Sequence, residues 1–181
     1  MASSKTRLVL KTMLATACLI AVIGMAAGAV VMKAGLYNVA ATDQHWQAVY
    51  SLLEKAMYES VRTRAREIPE RPLTAWPMIA RGATVYRDNC LQCHGGPGVA
   101  QSDFGKSMQP VPGPLVDAAK RWRANEMYWI TRHGIKLSGM PAWELHLSDD
   151  DMWSVVAFLS RLPELSPQEF SLMTAATKEG R

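Results

Sequence analysis

The residues with the greatest chemical capacity stand in one short stretch, DNCLQCHGGPG, from Asp88 to Gly98. Cys90 and Cys93 are three residues apart, and His94 directly follows the second thiol. Three chemistries use such a set. A structural zinc site needs four ligands, as a rule two Cys/His pairs, and no second pair follows, because His133 and His146 are single and widely spaced. A redox dithiol of the thioredoxin kind sits at the end of a strand in an α/β pattern, and no run here alternates like a strand. Covalent attachment of haem needs only what is present. Two thiolates add to the two porphyrin vinyl groups, whose separation matches a three-residue step, and the adjacent imidazole is then held under the iron.

A sixth ligand is available in Gly139-Met140-Pro141-Ala142-Trp143, 46 residues after His94, in a Gly/Pro-flanked loop ahead of the last helix. The chain has eleven methionines. Met108 lies only 14 residues past His94, and Met127 and Met152 fall within helices, where core packing is the default. Met140 alone is placed between Gly and Pro in a loop that can bring a thioether to iron. A His/Met pair closes the coordination and leaves no position for substrate, which points to outer-sphere electron transfer rather than an enzyme. Two rivals stand beside that reading. One is a ligand-binding haem protein, a gas sensor or peroxidase-like, with Met140 off the iron or displaceable. The other is a mainly structural subunit that docks a larger oxidoreductase through the helix around Trp46 to Met57.

The elements that must hold these residues begin with an anchor. Lys5, Arg7 and Lys11 precede an uncharged run from Thr12 to Met32, long enough to span roughly 31 Å as a helix, about the thickness of a hydrocarbon core. The run is longer than the roughly 7–15 residues of a signal-peptide core, although Met25 to Ala29 offers small residues for cleavage. Basic residues ahead of the span place the amino end in the cytosol and the rest outside. Cys18 lies within the run as a chemically quiet membrane cysteine. Thr42 and Asp43 predict a helix start, and Trp46, Val49, Tyr50, Leu53, Met57 and Val61 recur at helical spacing to about Arg66. That face either packs on the domain behind it, the favoured reading, or docks a partner or lies on the bilayer with its arginines toward lipid phosphates. Pro69, Pro72 and Pro77 mark a semi-rigid linker.

Beyond it, a short helix from Met78 leads into the cysteine motif, and the Pro-rich stretch 95–114 is loop. Ala124 to Gly134 reads as a helix with Met127, Ile130 and Tyr128 inward. Ser148 caps a final helix, with Asp149, Asp150 and Asp151 on its positive end, running to about Leu162. The expectation is therefore all-α. The divisions are a cytoplasmic amino terminus at 1–11, a transmembrane anchor or uncleaved signal at 12–34, an amphipathic helix and linker at 35–75, the haem domain at 76–165, and a carboxyl-terminal tail at 166–181.

Charge excludes one function class. The net charge is +4, and all of the excess lies in residues 1–75, while residues 76–165 carry equal numbers of each sign. A nucleic-acid-binding domain would place its basic residues on the folded core, so nucleic acid is not an expected partner.

Gly82, Tyr86, Cys90, Cys93, His94, Met140 and the helix end Ala157-Phe158-Leu159 together resemble the class I cytochromes c. The closer likeness is to the membrane-anchored single-haem cytochromes of bacteria and to the haem c domain of the third subunit of cbb-type cytochrome oxidases. The resemblance covers about residues 76–165. It implies a class I cytochrome c fold around one covalent haem c, with His94 as proximal ligand and Met140 as distal ligand. It also implies crossing first and last helices, with Gly82 and Tyr86 against Val155 and Phe158; Gly82 allows close backbone approach. The family often has Pro two residues before a haem-packing Leu. Here Leu115 has Gly113 at that place, between Pro112 and Pro114, which leaves open the carbonyl that orients His94. Trp143 and the Arg121-Trp122 pair are candidate propionate contacts, with ordinary packing as the alternative, and His133 is read as capping its helix. The function implied is a periplasmic electron carrier anchored in the bacterial cytoplasmic membrane. Its redox partners would be a dehydrogenase, a quinol-oxidising complex or a terminal oxidase.

Overall fold

A computed structural model describes residues 4–175, which divide into two units, up to Ala40 and from Ala41 onward. The first is built on α1, Ser4–Lys33, a 30-residue helix with no buried residue. Leu8, Leu14, Ile20, Ile23 and Met25 are all more than half exposed, so the helix is apolar around its surface rather than along one stripe. It ends on Gly35, whose left-handed φ of +63° lets the Leu36 N–H return to the Val31 carbonyl at 3.1 Å.

The second unit is all-helical, with no strand among the described residues. α2 spans Gln47–Ala65. It starts later than Thr42 and Asp43 predict, because residues 41–43 form a turn and Trp46 is still extended, with ψ of 135°. Its carboxyl-terminal part packs most deeply: Val61 and Ala65 are buried, Tyr58 stacks on Trp122 at 4.5 Å, and Asn125 Nδ2 donates to the Ala65 carbonyl at 2.9 Å. Trp46 and Leu52 stay exposed. α3, Trp76–Asn89, begins two residues earlier than expected. Pro77 stands in its first turn, where an absent N–H leaves no bond unmade, so this proline opens the helix instead of breaking it.

α4, Leu91–His94, and α5, Asp103–Lys106, are single turns, as is α6, Ala118–Arg121; α7 spans Ala124–His133. α8, Asp149–Arg161, starts on Ser148 as its capping signal predicts, with Ser148 Oγ accepting the Asp151 N–H at 3.1 Å. Every residue of α8 from Met152 to Leu159 is buried. α3 crosses it at Gly82, where a Cβ would stand 1.9 Å from the Ser154 carbonyl oxygen and 2.9 Å from Phe158 Cβ. The expected partner Phe158 is there, also meeting Tyr86 at 5.4 Å, but at Gly82 the closest atom is the Ser154 backbone rather than Val155.

Residues 166–175 do more than trail from the domain. Ser166 caps α9, Pro167–Thr174, and Phe170 is wholly buried, with its ring 6.2 Å from that of Tyr86 and 6.1 Å from that of Phe158. A Cβ on Gly96 would stand 2.2 Å from Phe170 Cζ, so the residue after the motif is small to admit that ring. The remaining residues of the expected tail, 176–181, lie outside the described residues.

Candidate functional site

α3 delivers Cys90 at its carboxyl end, where the Cys90 N–H still bonds the Tyr86 carbonyl at 2.8 Å. The chain then turns once more, with the Cys93 and His94 N–H groups both returning to the Cys90 carbonyl, at 3.1 and 3.0 Å. Both thiols and the imidazole therefore sit on one short helical turn. It is closed by Gly95 at φ +63°, whose carbonyl accepts the buried Tyr86 hydroxyl at 2.7 Å. Tyr86 thus ties the turn to the α3–α8 crossing, and burial raises its pKa, keeping the hydroxyl a donor. Burial, with Cys93 adding to it, also pushes the Cys90 thiol up to about 12.

The loop from 96 to 113 is fastened beneath this turn. Ser102 bonds the Gln92 carbonyl through its N–H at 2.9 Å and its hydroxyl at 2.8 Å. Gly105 lies so close that a Cβ there would stand 2.9 Å from Cys93 Cα. The loop returns to the imidazole at Gly113, whose carbonyl oxygen is 2.8 Å from His94 Nδ1. A carbonyl only accepts, so Nδ1 carries the proton and Nε2 keeps its lone pair for a metal. Burial holds the His94 pKa below its ordinary value, opposed by the Gly113 bond. Leu115 follows, half-buried against the core.

The second loop leaves α7 at Gly134, φ +66°, where a Cβ would stand 2.6 Å from the Met140 carbonyl oxygen. That oxygen accepts the Ile135 N–H at 3.2 Å, and the Met140 N–H reaches Ser138 Oγ at 3.1 Å, while the hydroxyl donates to the Ile135 carbonyl at 2.7 Å. Leu137 holds a left-handed φ of 59° between them, a conformation a leucine adopts only when its surroundings demand it. Met140 is thereby presented from a knotted, half-buried loop. The loop meets the proximal one: the Met108 sulfur stands 2.2 Å from where a Cβ on Gly139 would be. Sequence spacing placed Met108 in the loop with His94 but held no sign of this contact; the only clue is that Gly139 is small.

Trp143 opens a 3-10 turn, Trp143–Leu145, and its Nε1 is buried without a hydrogen-bond partner. Gln101 Nε2, in the proximal loop, is in the same state. The buried Trp143 donor calls for an acceptor, and a group bearing carboxylates supplies one. The donor set fits haem c: two thiols and an imidazole on one turn, a thioether in a loop that touches the proximal one, and a buried indole N–H beside that loop. His133 Nδ1 lies 3.6 Å from Glu144 Oε1 and its ring is tilted against that of Trp129 at 5.0 Å, while the helix end is capped by the Gly134 N–H returning to the Ile130 carbonyl. Arg121 donates to the Pro114 carbonyl at 3.2 Å, so it braces the proximal loop, and Trp122 is taken up by Tyr58.

Residues 77–159 match the family described as cytochrome c oxidase, cbb3-type, subunit III. The cbb3-type cytochrome c oxidase subunit CcoP of Cereibacter sphaeroides is 32% identical over 90 residues, 47% of this chain and 28% of that protein. The chain thus spans well under a third of the length of that relative. No solved structure matches.

Proposed function

Residues 77–159 form a cytochrome c-type domain like that of subunit III of the cbb3-type oxidases, and from that premise we propose that the chain is a membrane-anchored electron carrier. Cys90 and Cys93 hold one haem c covalently, His94 Nε2 is its proximal ligand and Met140 its distal ligand. Bound there, the haem supplies a one-electron couple at its iron. The chain's own residues do the rest. Gly113 fixes the His94 tautomer, the loop from Gly134 to Pro141 presents the thioether, and Trp143 Nε1 donates to a haem propionate. Leu115 packs against the porphyrin. A closed His/Met pair excludes substrate and oxygen from the metal, which suits transfer through an exposed haem edge.

The observation that carries this reading is the bond between His94 Nδ1 and the Gly113 carbonyl, which leaves the other ring nitrogen to the iron. α1 is long and apolar enough to cross a membrane, and the basic residues before its apolar run favour an orientation with the haem domain in the periplasm. Partners of the kind named for the relative, a terminal oxidase, fit such a carrier, as do a dehydrogenase or quinol-oxidising complex upstream. Carbon monoxide added to the dithionite-reduced protein tests the proposal. An unchanged spectrum is expected; prompt formation of a carbonyl complex would show an open iron and a ligand-binding haem protein instead.

A further inference from the structure

Five arginines of this domain are matched to carboxylates: Arg71 with Asp149 and Asp150, Arg81 with Asp151, Arg87 with Asp88, Arg132 with Glu144, and Arg161 with Glu164. Arg62, Arg66, Arg121 and Arg123 differ. None of them has an ion pair among the described residues, and all four, with Lys120, line one cleft of about 410 Å³ between the end of α2 and the segment from α6 into the first turn of α7. The charges are not scattered over a surface. Two elements far apart in sequence bring them together.

What lines the cleft besides these cations defines its ligand. The one carboxylate, Glu126, is buried and spends Oε2 on the Arg123 backbone N–H at 2.8 Å. Arg62 rests 5.7 Å over the Tyr58 ring, and Arg121 on the Pro114 carbonyl, contacts that hold guanidinium groups in place without neutralising them. Lys120 pairs with Asp117 at 2.7 Å, and the same carboxylate also acts on Arg121 without forming an ion pair with it. Like charges held together repel, and an anion between them removes the repulsion. The α7 amino terminus adds its partial positive charge. Asn125 is only 9% exposed, and its Nδ2 serves the Ala65 carbonyl while its Oδ1 has no donor at all. A buried acceptor left bare beside an anion site suits a ligand that brings a donor along with its charge.

We propose that this cleft binds a phosphate ester that carries a hydroxyl group, the phosphate held by Arg62, Arg66, Arg121 and Arg123 and the hydroxyl donating to Asn125 Oδ1. Guanidinium groups suit phosphate because their forked donors match its oxygens. A phosphoglycerol lipid headgroup and a free glycerophosphate share this chemistry.

The test is native mass spectrometry of the full chain released from detergent micelles, titrated separately with dioctanoyl-phosphatidylglycerol, dioctanoyl-phosphatidylcholine and glycerol 3-phosphate. Phosphatidylglycerol should bind at least tenfold more tightly than phosphatidylcholine, which has no hydroxyl donor on its headgroup. The double variant Arg62→Gln/Arg66→Gln should weaken it at least tenfold. Arg64→Gln, which alters the same helix but a guanidinium bonded to Ser60 Oγ at 2.8 Å, should change it less than twofold. Competition by glycerol 3-phosphate identifies a site for the ester from either source, and its failure to compete identifies the lipid headgroup. Equal loss in Arg64→Gln and in the double variant would mean diffuse charge attraction and overturn the proposal. So would a shifted Soret band in the double variant with lipid binding intact, since the arginines would then serve haem propionates.

Discussion

His94 Nδ1 lies 2.8 Å from the carbonyl oxygen of Gly113, a residue 19 positions on, at the far end of a loop that is pinned to the motif by Ser102 and Gly105. The contact uses a main-chain atom, so the side chain at 113 is immaterial to it. Apart from its two chain neighbours, no protein atom lies within 4 Å of a Cβ built at Gly113, and its φ is not in the left-handed region. Gly113→Ala should therefore leave the haem spectrum and the reduction potential unchanged. A fall in potential or loss of haem in that variant would show that the glycine, and not its carbonyl, is what the imidazole needs.

Cys90 and Cys93 should hold the haem through thioether bonds. After denaturation and extraction with acidified acetone, the colour should stay with the polypeptide, and replacing both by Ser should abolish it. Haem recovered in the solvent from the matured wild-type protein would end the assignment.

Met140→Ala should remove the sixth ligand while leaving attachment intact, because Cys90, Cys93 and His94 are untouched. The expected result is a lower potential, loss of the weak long-wavelength band of thioether-bound ferric iron, and carbon monoxide binding by the reduced form. Met108 packs on Gly139, next to the residue replaced, and is the nearest substitute. A six-coordinate spectrum and potential that are unchanged in Met140→Ala but lost in the single variant Met108→Ala would assign the thioether to Met108.

Gly82→Ala would drive a methyl group to 1.9 Å from the Ser154 carbonyl, a backbone atom that moves only if α3 and α8 separate. Overpacking of this kind costs roughly 1–3 kcal/mol, and the backbone contact puts Gly82 at the upper end. Urea denaturation should show a lowered midpoint with the denaturant slope retained. A midpoint equal to wild type would mean the crossing is looser than described.

The Asp151 carboxyl is held below the usual carboxylate range, chiefly by the Arg81 guanidinium at 2.7 Å and then by Ser148. A depressed folded pKa contributes stability above the unfolded value of about 4 and loses it as pH falls through the folded value. The wild type should thus lose stability below about pH 4 more steeply than Asp151→Asn, the two converging in strong acid. The contribution is small, since the Arg81 side chain is half exposed. Ser148→Ala, which removes the cap itself, should cost about 1 kcal/mol near neutral pH. Parallel acid profiles for wild type and Asp151→Asn would contradict this assignment.

What was legible in the sequence was whatever is local in the chain. The spacing of Cys90, Cys93 and His94 is set by one helical turn, the cap at Ser148 by four consecutive residues, and the apolar run from Thr12 to Met32 by composition, so each could be read without a fold. Tertiary structure decided everything that joins distant segments. Which carbonyl meets His94 depends on how the loop closes over Cys93, and Pro112, Gly113 and Pro114 offered equal claims until Gly105 and Ser102 anchored it. Pro77 looked like a breaker because its place in the first turn of α3 was unknown. Phe170 looked like part of a tail because burial is conferred by partners, here Gly96, Tyr86 and Phe158, that no periodicity in an eight-residue helix reveals. The basic cleft has the same origin: Arg62 and Arg66 are surface charges on an amphipathic helix until α2 packs against α7, and only then do they face Arg121 and Arg123 across a shared cavity.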